Sequence, residues 1–84
     1  MHVHVGTEDR PAWLREAEYV YVSLADDLAA RIDRGELRGR LPSEAELAAE
    51  YGVARMTVRR AVQILRERGY VRTLHGRGSF VVSR

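Results

Sequence analysis

Apolar positions recur at helical spacing in three stretches of the chain. Tyr21, Leu24, Leu28 and Ile32 stand three and four residues apart, with Ala25 and Ala29 beside them. Asp26, Asp27, Arg31, Asp33 and Arg34 take the opposite side, and Gly35 is placed to stop the helix. The spacing predicts a first helix over about 21–34. The "EYVYV" before it alternates weakly and can start as strand, and Pro11 can open a short separate helix over "AWLREA". "GELRGR" reads as a turn or short extended link. In "LPSEAELAAEYG", Ser43 can cap a second helix while Glu46, three residues on, reaches back to the Ser43 N–H. Leu47, Ala48 and Tyr51 form its inward side. Gly52 lets the chain turn through positive φ, with Val53 as a buried plug. Val58, Ala61, Val62 and Leu65, at i, i+3, i+4 and i+7 with Ile64 at the border, predict a third helix over about 55–68. Beyond Gly69, "YVRTL" and "SFVVS" are β-rich runs around "HGRG", a hairpin over 70–82 with a glycine-rich basic tip.

The expected fold class is mainly α with a small β-hairpin: three helices plus a wing, a winged helix-turn-helix. Residues 19–84 form that domain. Residues 1–18 read as an N-terminal extension, covering the core or pairing two copies.

The third helix raises the question of chemistry. Its apolar side is core. Around it, Met56, Arg59, Arg60 and Gln63 gather on the far side, flanked by Arg55 and Arg66. Net charge is +2, yet residues 1–51 hold six arginines against eleven acids, and residues 52–84 hold eight arginines against the single acid Glu67. The helix carries too little acid for internal pairing. Its arginines repel one another unless water, salt or a partner neutralises them. A basic face opposite an acidic remainder suits a polyanion.

The order helix, Gly-containing turn, helix is that of a helix-turn-helix, whose second helix enters the DNA major groove. Arginine can fork two donors onto guanine O6 and N7, and Thr57 can reach a phosphate, a base or a thymine methyl. Arg72, His75, Gly76 and Arg77 place donors and close-approach backbone on the wing, suited to the minor groove or its phosphates.

Other classes have little support. With no cysteine, disulfides and thiolate metal sites are excluded. No apolar run nears the roughly 18 residues of a membrane span, and "MHVHVGTEDRPAW" lacks a signal core, so a cytoplasmic protein is expected. The His2/His4 pair has no further ligands and reads as a frayed tail rather than a metal site. Paired carboxylates, a nucleophile–base pair and a phosphate loop are missing from the pattern. His75 on a wing tip is poorly placed to exclude water. No enzyme, cofactor or metal is expected.

"LPSEAELAAEYGVARMTVRRAVQILRERGYVRTLHGRGSFV" resembles the DNA-binding domain of the gluconate-repressor (GntR) family of bacterial transcription regulators. The resemblance covers about residues 20–82. It implies a sequence-specific DNA-binding regulator, a repressor in most cases, on short, roughly palindromic duplex operators. It assigns Arg55, Thr57 and Arg59 to bases and phosphates, and His75 and Gly76 to the minor groove. From their place on the far face of the third helix, Arg60, Gln63 and Arg66 join them, and from charge so do Arg72 and Arg77. The chain departs from the family at Ala45, where an arginine is common, and at Ala54, where Ser or Thr often caps the recognition helix. The link before "LPSE" is also about two residues short. Since the sequence stops at the wing strand, no small-molecule effector is expected. Pairing then falls to residues 1–20, through Trp13, Leu14, Tyr19 and Val20. The alternative function is a winged-helix adaptor that binds protein without reading DNA.

Overall fold

The computed structural model describes residues 11–82, in the order α1 (Ala12–Asp33), α2 (Glu44–Tyr51), α3 (Arg55–Glu67), β1 (Val71–Leu74) and β2 (Gly78–Val81). His2 and His4 lie outside the described residues.

Helix α1 corrects the sequence reading at its start. The expected short helix over "AWLREA", the strand-like "EYVYV" and the first amphipathic helix are one unbroken element of 22 residues. Five residues of alternation do not outweigh the flanking helical period. Once the packed half is nucleated, each added residue gains a backbone hydrogen bond at only the cost of propagation. The helix starts at Pro11, whose carbonyl accepts from the amides of Leu14 and Arg15, with no side-chain cap. Leu24, Ala25, Leu28, Ala29 and Ile32 are its buried residues.

Helix α2 forms as the sequence dictates. The Ser43 hydroxyl accepts from the Glu46 amide at 3.0 Å, and the Glu46 carboxylate accepts from the Ser43 amide at 2.8 Å. Gly52 ends the helix in the left-handed region, φ 68°, a conformation that a side chain at Cβ disfavours. The α3 start is barer. Ala54 sits at the cap position without a side-chain bond, a loss of about 1 kcal/mol against Ser or Thr there.

Leu28 of α1, Leu47 of α2, and Val58 and Leu65 of α3 are completely buried against one another. Val71 closes the core from β1, and Leu37 and Leu41 seal it from the link. Val53 and Ile64 pack half-buried at its margin.

The hairpin pairs Val71 with Val81, Arg72 with Phe80, Thr73 with Ser79 and Leu74 with Gly78. It has a further neighbour. Arg40 bridges Phe80, the Leu41 amide donates to the Ser79 carbonyl at 2.8 Å, and the Val81 amide donates to the Gly39 carbonyl at 2.7 Å. The link that leads into α2 is thus bonded to β2, and this fixes the wing beside the α2 start. Among the described residues, no helix is long and apolar enough to cross a membrane.

Candidate nucleic-acid interface

The buried side of α3 is Val58, Ala61, Val62 and Leu65. That leaves Arg55, Met56, Arg59, Arg60 and Arg66 exposed, with Thr57 and Gln63 half-buried at the edges. The helix presents its cations as the sequence reading expected. What each guanidinium touches differs.

Arg59 has an acid partner after all. Helix α3 lacks one nearby, but α2 supplies its first residue. Arg59 Nε donates to Glu44 Oε2 at 3.0 Å, and Nη2 donates to Oε1 at 2.9 Å. These bonds hold the Glu44 carboxyl below the ordinary carboxylate range and raise the Arg59 guanidinium. The expectation of too little acid is therefore corrected for this residue: the pairing crosses the helix-turn-helix and no pattern within α3 could show it. Both side chains remain substantially exposed, at 58% and 34%. Such a pair contributes little stability, so its main effect is to orient Arg59. Two of the five guanidinium hydrogens are used. The edge formed by Nη1 and the second Nη2 hydrogen still offers two parallel donors.

Arg55, one turn earlier, is exposed and has no hydrogen-bond or ion-pair partner among the described residues. Arg60 does not point straight outward. Its guanidinium stands 5.5 Å from the Tyr21 ring centre on α1, and Nη1 donates to Gln63 Oε1 at 3.1 Å. Arg66 Nη1 donates to the Thr73 hydroxyl at 3.0 Å, and Thr73 bonds the Ser79 hydroxyl across the hairpin at 2.9 Å. Arg66 thereby braces the wing against α3. Arg68, beyond the last turn, is neutralised by Asp26 at 2.7 Å.

At the wing tip, Arg72, His75, Gly76 and Arg77 are all exposed. The Arg77 amide closes the turn on the Leu74 carbonyl at 2.9 Å, with Gly76 at φ 75° in its third position. Two residues outside the expected set join the site. Glu44 is one. The other is Arg40, which lies across the base of the wing: a Cβ at Gly78 would meet its Nε at 2.9 Å. Arg40, Ser43, Glu44, Arg55, Thr73 and Ser79 line an open cleft of about 520 Å³ between the starts of α2 and α3 and the wing. An arginine three residues before the capping serine was the available signal for Arg40. Its pairing with β2 was not legible. Among the described residues, no group of three His, Asp or Glu is placed to hold a metal.

A short helix, a glycine turn, a cationic helix and a hairpin braced beside it make this domain a winged helix-turn-helix. Residues 20–81 match the family described as "Bacterial regulatory proteins, gntR family", and the chain belongs to that family. It is 39% identical over 66 residues to the HTH-type transcriptional regulator TreR of Bacillus subtilis (strain 168), covering 76% of this chain and 28% of that protein. It is 42% identical over 64 residues to the HTH-type transcriptional repressor NagR of the same organism, covering 74% and 26%. The chain thus spans about a quarter of the length of these relatives. The solved structure of AraR(DBD) in complex with operator ORR3 superposes with a TM-score of 0.68 at 29% identity, over 75% of this chain and 78% of that one. The domain is a GntR-type regulator module, not an enzyme.

Proposed function

We propose that this chain reads an operator for a protein that represses transcription, with α3 in the major groove and the β1–β2 wing at the minor groove. The observation that carries this reading is the start of α3, where Arg55 and the outer edge of Arg59 stand exposed beside a wing anchored to α2. Arg55 and Arg59 read bases, and Thr57 holds a phosphate or touches a base. Arg60, Gln63, Arg66 and Arg72 serve phosphates. For this, Arg60 leaves the Tyr21 ring and Arg66 turns from Thr73, both exposed contacts that are easily exchanged. His75, Gly76 and Arg77 approach the minor groove. A repressor among the relatives and an operator complex among the similar structures support the same reading. The operator is a roughly palindromic duplex bound by two copies in the cytoplasm. Cofactors, metals and small-molecule effectors have no part in the proposal.

Binding to the operator duplex, followed by anisotropy across a salt series, tests it. Each neutralised phosphate adds about −0.9 to the slope of log affinity against log salt, so six contacts give roughly −5. A slope near zero would contradict groove binding by this face.

A further inference from the structure

Helix α3 exposes one large apolar side chain among its cations. Met56 is 56% exposed, whereas Val58, Val62, Ile64 and Leu65 of the same helix are buried or half-buried. A lone exposed hydrophobic residue needs no explanation of its own. The placement of this one does. At roughly 100° per residue, Met56 stands almost opposite the midpoint of the buried side formed by Val58, Ala61, Val62 and Leu65. It therefore projects away from the body of the domain. It also lies in the first turn of α3, the end that a recognition helix directs at base edges.

The neighbouring cations part around it. Arg59 is drawn toward α2 by its two bonds to Glu44. Arg60 is drawn toward α1, with its guanidinium at the Tyr21 ring and on Gln63 Oε1. The outer point of the first turn is thus an apolar thioether with a guanidinium on either side. Phosphates offer nothing to such a spot. At the base edges of the major groove the apolar group is the C5-methyl of thymine. Methionine suits it, because the side chain is unbranched and polarisable and adapts to the shape it meets. Arginine or glutamine here would instead need a hydrogen-bond partner, which a methyl group does not supply.

We propose that Met56 is a specificity-determining residue that packs on the C5-methyl of a thymine in the operator's major groove, beside the base pairs read by Arg55 and Arg59. The inference rests on the operator reading and adds an apolar contact to the polar ones assigned above. Burying one methyl group is worth about fourfold in affinity. Beside two arginine forks this adds little to overall binding. It does distinguish thymine from the other bases at one position, where no arginine reaches.

A duplex recovered from a random pool with the full chain is the probe. Its thymines are changed to uracil one at a time, which keeps every pairing group and removes only the C5-methyl. Anisotropy at fixed salt is expected to show about a fourfold loss of affinity at one thymine of a half-site. Met56→Ala loses at least as much on the unchanged duplex and no longer distinguishes thymine from uracil there. Met56→Leu keeps the distinction. Both variants still prefer the duplex over a scrambled one, through Arg55 and Arg59, and circular dichroism shows unchanged helix content. A duplex in which no thymine responds to uracil overturns the inference. So does a uracil response undiminished in Met56→Ala, which assigns the methyl group to another side chain. In both of those cases the operator reading stands, since sequence-dependent binding remains. A pool from which no sequence is enriched overturns the two together.

Discussion

The double variant Arg55→Ala/Arg59→Ala loses the ability to tell its operator from unrelated duplex. Each well-placed arginine fork on guanine discriminates by about 1–3 kcal/mol, so the pair is expected to cost about 2–6 kcal/mol of specificity. Competition between operator and scrambled duplex, at fixed salt, measures the difference. Arg59→Lys does not restore the Arg59 share, because an ammonium cannot present two parallel donors. The Glu44 contact adds a sharper expectation. Glu44 accepts from Nε and Nη2 of Arg59, which aims the remaining edge of the guanidinium away from α2. Glu44→Gln removes a negative charge from a basic face, so binding to unrelated duplex holds or rises. Discrimination nevertheless falls, because Arg59 is no longer held. A double variant that prefers operator over scrambled duplex as strongly as wild type does would remove Arg55 and Arg59 from base readout.

Leu28→Ala is expected to cost about 2–5 kcal/mol of stability, the range for a leucine emptied from a packed core. Leu28 is completely buried and touches the common cluster formed by Leu47, Val58 and Leu65. A chain of 84 residues holds roughly 4–13 kcal/mol in total, so this one substitution takes a large share. Urea unfolding should show a much lower midpoint at an unchanged slope. A cost below about 1 kcal/mol would mean that α1 does not anchor the recognition helix.

The second and third helices and the wing were legible because their signals are local. The capping box of Ser43 and Glu46, the left-handed turn at Gly52 and the i, i+3, i+4, i+7 run from Val58 all lie within a few residues of one another. The start of α1 was not legible, since "EYVYV" read alone favours alternation and only the continuity of the helix overrides it. The exposure of Arg55, Arg59, Arg60 and Arg66 was readable from helical period. Their partners were not. Glu44 lies fifteen residues from Arg59, Tyr21 belongs to another helix than Arg60, and Thr73 sits on the wing opposite Arg66. Each contact depends on tertiary placement that a periodic pattern does not encode. Arg40 was missed for the same reason: its role beside Gly78 arises from a strand pairing with no counterpart in the alternation of "GELRGR".

Amide chemical shifts of the labelled chain, titrated with operator duplex, locate the contact face most directly. Recognition through α3 and the wing predicts shifts concentrated at Arg55–Arg66, at Arg72–Arg77 and at Arg40. Shifts centred instead on the acidic side of α1, at Asp26, Asp27 and Asp33, or spread evenly without a focus, would contradict it.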